Sequence, residues 1–214
     1  MSRQMLVALL AIVLLIAVVF IFALNSSPKP EPMTKLGEIK IELYPDKAPE
    51  TVKNFLQYVE DKHYDGTIFH RVIPDFMIQG GGYKTDLTEK RTRSPIRNEA
   101  MNGLHNERGT IAMARTPDPH SATAQFFINV EDNTMKLDPA FSDGHGYAVF
   151  GKVIEGMNVV DRIRASPTFS KSQIFQNLPV QDVIIKSARR DTSVPDGAAP
   201  VVILEIEQAP RKRS

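Results

Sequence analysis

Apolar and polar positions alternate every second residue along several short stretches of the chain, and in two places the repeat lengthens to three or four. Residues 35–44, KLGEIKIELY, put Ile39 and Ile41 on one face, with Leu43 continuing it past Glu42, which predicts a first strand with one wet face. In residues 48–60, APETVKNFLQYVE, the apolar positions Val52, Phe55, Leu56 and Val59 recur at i, i+3, i+4 and i+7. That spacing predicts an amphipathic helix, with Pro49 suited to its first turn. Further strands are predicted at 67–73, 109–115, 121–130 and 147–153, a closing strand begins at 183–185, and Met157, Val160 and Ile163 predict a short second helix over 156–163. The prolines of 116–119, TPDP, force a turn between strands. Residues 83–98, with Lys84, Asp86, Glu89, Lys90, Arg91 and Arg93, read as a surface loop of solvated charges, and 133–146 as a second loop. Short strands, two helices and no βαβ rhythm imply a mainly β, antiparallel domain over 33–190, and closure into a barrel is the natural way to remove exposed strand edges. After Arg190 the composition shifts to Pro, Gly, Ala and Asp, so 191–214 reads as a C-terminal tail. Within it VVILEIE, at 201–207, is either an edge strand laid on the domain or a mobile segment.

Ahead of the domain, residues 5–24 form an unbroken apolar run. As a helix, at about 1.5 Å per residue, it reaches about 30 Å, the thickness of a bilayer's hydrocarbon core. The run exceeds the apolar region of a cleaved secretory signal, about 7–15 residues, and FALNS at 22–26 is a poor cleavage site. Residues 1–24 are therefore read as an uncleaved, single-pass signal anchor, with secretion after cleavage as the competing reading. Arg3 and the amino terminus place that end in the cytoplasm and export the rest to the extracytoplasmic side of the membrane. The Pro-rich residues 25–32, NSSPKPEP, form a semi-extended linker.

Composition narrows the chemistry. Of 214 residues 42% are hydrophobic, enough for one domain with a proper core. A net charge of +1 with both signs interspersed provides no basic stripe for nucleic acid. Without cysteine there is no disulfide framework, thiolate nucleophile or thiolate metal site. The histidines, His63, His70, His105, His120 and His145, show no ligand spacing, so no metal is expected, and nothing in the sequence calls for a cofactor.

Residues 69–82, FHRVIPDFMIQGGG, set one arginine among apolar residues before a glycine run. Strict alternation puts Phe69, Arg71 and Ile73 on one face and Ile68, His70 and Val72 on the other. The bland reading of Arg71 is an exposed guanidinium with its stem along apolar surface. Against it, Met77 and Gln79 share a face nearby, and Gly80, Gly81 and Gly82 permit positive φ or close approach of a ligand's backbone. In 121–130, SATAQFFINV, alternation separates Gln125 and Phe127 from Ala124, Phe126 and Ile128, which repeats the amide-plus-apolar pairing. Two such strands would line one shallow site.

The chain resembles the cyclophilin family of peptidyl-prolyl isomerases, its bacterial branch above all. The resemblance runs through FHRVIPDFMIQGG at 69–81, NEAMNGLHNERGTIAMAR at 98–115, SATAQFFINVEDN at 121–133 and GYAVFGKVIEGMNVVDRI at 146–163, and covers roughly 33–188. It implies an eight-stranded barrel with a helix over each open end, a monomeric domain, and an enzyme that isomerises X-Pro bonds in folding polypeptides. By resemblance Arg71 is the catalytic donor, Phe76, Met77, Phe127 and Leu137 hold the proline ring, Gln79 and Gln125 are polar contacts, and Ala114 and Arg115 form the edge where the peptide lies. Two positions depart from the common pattern. Lys136, or Met135 with a shift of one residue, stands where many members carry Trp or Phe, and Tyr147 stands where many eukaryotic members carry His. A module that binds proline segments without turnover is the alternative function.

Overall fold

The first alternating stretch becomes strand β1, Thr34–Leu43, in which Ile39, Ile41 and Leu43 are fully buried. Helix α1, Pro49–Glu60, follows and turns Val52, Phe55 and Val59 inward. Its N-cap, Ala48, has no side-chain oxygen to meet the free donors of the first turn. The Glu99 carboxylate meets them instead, accepting from the Glu50 N–H (3.2 Å), the Thr51 N–H (2.8 Å) and the Thr51 hydroxyl (2.7 Å). The computed structural model describes residues 33–195 and 197–211, so the expected anchor and linker lie outside the described residues. Among the described residues no helix is long and apolar enough to cross a membrane.

The remaining strands are β2 (Thr67–Ile73), β3 (Met77–Lys84), β4 (Thr110–Met113), β5 (Phe126–Asn129), β6 (Val149–Glu155), β7 (Thr168–Phe169), β8 (Leu178–Pro179), β9 (Gln181–Arg190) and β10 (Val201–Pro210). Eight of them close an antiparallel barrel in the order β1-β10-β9-β2-β3-β5-β4-β6, while β7 and β8 pair as a separate ribbon. Two helices besides α1 are described, a single turn α2 (Thr134–Leu137) and α3 (Met157–Arg164). Inside the barrel, Phe55 packs on Tyr64, Phe126 and Phe150 with ring centroids 5.1, 5.7 and 5.1 Å apart. The stripes of α1 and α3 join the same interior cluster.

Three sequence expectations change. The segment expected as a tail is no tail: β10 inserts between β1 and β9 and buries Val202, Leu204 and Ile206 completely, so the domain runs past residue 190. The loop at 133–146 contains α2. Lys90, expected in solvent, donates to the carbonyls of His63 (2.5 Å) and Asp65 (3.1 Å), fastening the 83–98 loop to the turn before β2.

A fourth difference decides where Arg71 points. Phe69 pairs with Gly80 and Arg71 with Gln79, so two residues of β2 stand opposite one step of β3. The extra residue, His70, makes a β-bulge. Phe69 and Val72 then both face the interior, whereas Arg71 joins Ile73 and Met77 outside. Strict alternation had placed Phe69 and Arg71 together. On β3, Gly81 takes a φ of +86°, and a Cβ on Gly82 would meet the Gln125 side chain at 2.6 Å. The glycine run thus makes room for the protein's own amide.

Two predictions follow from this packing. Each fully buried aliphatic side chain of β10 is worth about 1.5–3 kcal/mol, so losing three removes an amount comparable to a domain's whole net stability of about 5–15 kcal/mol. A chain ending at residue 190 should therefore lack the cooperative thermal transition of one ending at 214, and calorimetry showing equal transitions would refute the role given to β10. The second concerns His70, which is 5% exposed with a buried Nδ1 that has no hydrogen-bond partner. Burial pushes its pKa from 6.5 down to about 4; a hydrogen bond to the Ile68 backbone opposes the shift and the Arg71 charge adds to it. Between these two values the unfolded chain takes up a proton that the folded protein refuses. Stability should fall as pH drops through this window, by on the order of 3 kcal/mol in full. His63, also lowered by burial, acts in the same direction, while His105, raised by Asp138, contributes stability that is complete below 6.5 and lost above it. His70→Phe keeps a ring against Tyr83, 4.7 Å away, and should flatten the urea midpoint between pH 6.5 and 4.5; an unchanged slope would count against it.

Candidate active site

Register across the barrel wall lines up one row of outward-facing positions. Arg71 of β2 pairs with Gln79 of β3, Gln79 with Phe127 of β5, Phe127 with Ala112 of β4, and Ala112 with Val149 of β6. Neighbouring strands lie about 4.8 Å apart, so Arg71 and Phe127 stand roughly 10 Å apart at the backbone with Gln79 between them. Two residues along the wall, Ile73 pairs with Met77 and Met77 with Asn129. The outward apolar side chains Met77, Ala112, Phe127, Leu137 and Val149 form a second, smaller cluster outside the barrel, with Phe76, Ala114 and Tyr147 packed against it.

A cavity of about 310 Å³ opens on this cluster, lined by Arg71, Phe76, Met77, Gln79, Ala114, Arg115, Phe127, Leu137 and Tyr147. Every residue singled out from the sequence is in that lining except Gln125, which stands behind it and accepts a hydrogen bond from the Gln79 amide (3.0 Å). Gln79 in turn accepts from Arg71 Nη1 (3.3 Å), so the two amides hold one edge of the guanidinium. Among the described residues no carboxylate pairs with Arg71, and burial lowers its pKa from the ordinary value, with Tyr147 opposing. A guanidinium starts so high that it stays charged at neutral pH. It is a half-buried cation with donors unused by the protein.

Arg115 is different. Its side chain is 3% exposed and committed to Asp143 (2.5 Å), the Gly146 carbonyl (2.9 Å) and the Thr116 carbonyl (3.0 Å). The guanidinium also stacks 4.5 Å from the centre of the Tyr147 ring. It holds Asp143 well below the usual carboxylate range. Its charge is neutralised, and it pins the loop that presents Tyr147, which in turn meets Phe127 edge-on at 5.8 Å.

Beneath the cavity lies a buried amide network that the sequence analysis did not find. Asn133 donates to the Phe76 carbonyl (2.6 Å) and to Asn129 Oδ1 (2.9 Å), and Asn129 donates to Asn106 Oδ1 (3.1 Å) and the Thr110 hydroxyl (2.9 Å). Asp138, 4% exposed, accepts from the Asn106 backbone (2.9 Å) and side chain (2.8 Å) and holds His105 Nδ1 (2.7 Å). These bonds fix the backbone of Phe76 and both ends of α2, and so the side chain of Leu137. The available sign was an asparagine closing the apolar run before it, at Asn129, with a second asparagine four residues on at Asn133; their other partners, Asn106, Thr110 and the Phe76 carbonyl, are too distant in sequence to read. No group of three metal-binding side chains is assembled among the described residues.

Residues 32–190 match the family model described as cyclophilin type peptidyl-prolyl cis-trans isomerase/CLD. The chain is 58% identical over 157 residues to a peptidyl-prolyl cis-trans isomerase, cyp18, of Streptomyces antibioticus, covering 73% of this chain and 94% of that one. It is 55% identical over 155 residues to peptidyl-prolyl cis-trans isomerase B of Escherichia coli, covering 72% and 94%. With peptidyl-prolyl cis-trans isomerase A of Dickeya dadantii it shares 48% over 189 residues, covering 88% and 98%. A crystal structure of a Cryptosporidium parvum cyclophilin type peptidyl-prolyl cis-trans isomerase, determined in the presence of the dipeptide Ala-Pro, superposes with a TM-score of 0.58 at 27% identity, covering 73% of this chain and 96% of that one. A closed antiparallel barrel carrying an arginine beside an apolar cup, with relatives of this identity, places the sequence: the chain belongs to the cyclophilin family and is a peptidyl-prolyl cis-trans isomerase.

Proposed function

We propose that the cavity on the outer wall is where X-Pro bonds of folding polypeptides are isomerised, on the extracytoplasmic side of a membrane. Rotation about the bond breaks amide resonance at a cost of about 18–20 kcal/mol, and unaided it takes tens to hundreds of seconds. Near 90° of twist the prolyl nitrogen regains its lone pair. A donor fixed beside that nitrogen then stabilises the twisted amide more than either planar isomer, which is what accelerates the step. The observation that carries this reading is Arg71, charged, half-buried and unpaired by any carboxylate among the described residues, in the lining of a cavity whose other walls are largely apolar. Gln79 and Gln125 hold the fork in place, so little reorganisation accompanies the developing lone pair.

Phe76, Met77, Phe127 and Leu137 form the cup for the pyrrolidine ring. Burying about three methylenes there is worth roughly 2 kcal/mol, which gives weak and broad binding. Ala114 and the Arg115 backbone provide the edge along which the peptide lies. All of these residues come from one chain, so the proposed site is complete within a single copy. No nucleophile, metal or cofactor is required for a rotation.

Arg71→Ala should lower kcat/KM by about a hundred- to a thousandfold, the loss typical of one pre-organised donor. Arg71→Lys should fall between, because an ammonium lacks the planar fork. A cis/trans exchange assay on a short prolyl peptide measures both, and equal rates from wild type and Arg71→Ala would remove the arginine from the mechanism. The anchor reading rests on the apolar run at 5–24. The full chain should sediment with membranes, and one lacking residues 2–24 should not; recovery of both in the membrane fraction would overturn it.

A further inference from the structure

Three of the acidic groups near the cavity are already paired with a basic side chain. Asp143 pairs with Arg115 (2.5 Å), Asp138 with His105 (2.7 Å) and Glu131 with Arg164 (2.5 Å). Asp132 accepts from the Thr134 backbone N–H (3.0 Å), a neutral donor, and Asp75 forms no ion pair among the described residues. Two cations of the same region have no such counter-charge. One is Arg71. The other is Lys136, exposed, with no ion pair among the described residues and its Nζ 5.7 Å from the centre of the Phe76 ring.

The placement of Lys136 follows from α2. Leu137 turns into the cavity as part of its lining, and the preceding residue carries its ammonium over Phe76, another lining residue. A cation resting on an aromatic face keeps its charge while its position is restrained. The cavity therefore has one unpaired cation in its lining, Arg71, and a second, Lys136, held over a lining aromatic at its border, an arrangement that concentrates a field at the opening.

We infer that Lys136, together with Arg71, makes this isomerase select prolines flanked by an acidic residue, so that Asp or Glu beside the proline is favoured and Lys or Arg disfavoured. The inference rests on the assignment of the cavity to the prolyl ring. The attraction acts on planar and twisted peptide alike, so it lowers KM and leaves kcat in place.

The test uses the purified full chain and a protease-free NMR exchange assay on short prolyl peptides with Glu, Ala or Lys on either side of the proline. At low salt the Glu peptide should exceed the Lys peptide in kcat/KM by about three- to tenfold, within reach of an exposed charge acting favourably on one and unfavourably on the other. That ratio should fall in the order wild type, Lys136→Gln, Lys136→Glu. It should also shrink toward one between about 0.1 M and 1 M salt, as the screening length drops from about 10 Å to about 3 Å. Because the ratio is taken within each protein, any loss of folded protein or of overall rate cancels. A ratio of one in the wild type, the same ratio in all three proteins, or a ratio that survives 1 M salt would each overturn the inference. Equal rates on the Ala peptide for wild type and Arg71→Ala strike the site assignment instead, so the two failures are told apart.

Discussion

Phe69 and Val72 both have to face the barrel interior, yet three residues of separation put them on opposite sides of a regular strand. The extra residue at His70 reconciles them, and the same bulge swings Arg71 out of the core and into line with Gln79 and Phe127. Had β2 continued in strict alternation from Phe69, the guanidinium would have shared the interior with Phe69, where no carboxylate waits for it. A buried unpaired cation costs several kcal/mol. The bulge therefore settles both a packing conflict and an electrostatic one. It is also where the cost appears, since His70 is left with an unpartnered ring nitrogen under Tyr83.

Around that arginine the protein keeps two apolar cores apart. The first, inside the barrel, is closed by α1 and α3 and touches no substrate surface. The second lies on the outside of β3, β4, β5 and β6, and the cavity opens onto it. An open apolar cluster of this size would slump if its rim were free to move. Its rim is held instead by buried polar bonds: Asn133 and Asp138 at the two ends of α2, and Arg115 through Asp143 and Gly146 on the loop before β6. Buried polar groups are useful here because each bond has one geometry, whereas apolar contacts tolerate sliding.

Much of this was legible from spacing alone. The i, i+3, i+4, i+7 stripe of α1 and the alternation of β5 needed only the periods of helix and strand, and β2 appeared over 67–73 as its apolar run suggests. The division of Phe127 from Phe126 and Ile128 held as well, because β5 has no register shift along its pairing with β3, whereas Gln125 precedes the strand. What escaped was whatever depends on contacts far apart in sequence. The face of Arg71 turned on a bulge that alternation has no means to signal. The capping of α1 by Glu99 and the amide network under Phe76 join residues that only the fold brings together. Lys136 was visible as a departure from the family pattern, but its position over the Phe76 ring was not.

The strand that closes the barrel lies beyond the residues matched by the family model, which end at 190, whereas β10 spans Val201–Pro210. This is consistent with where the chemistry sits. The cavity is lined from β2, β3 and α2 and from the segments that follow β2, β4 and α2, together with Phe127 of β5; β1, β9 and β10 contribute no lining residue. The barrel thus divides into a wall that carries the site and a wall that only completes the hydrogen-bond cycle. The closing wall has to satisfy the edges of β1 and β9 and to bring Val202, Leu204 and Ile206 into the interior. Neither demand specifies a sequence beyond alternation, which VVILEIE supplies. The site wall is constrained along its row, because Arg71, Gln79 and Phe127 come side by side only in this register. Family likeness should therefore concentrate on β2 to β6 and thin toward β10, for the physical reason that closure requires a pattern and the cavity requires particular side chains.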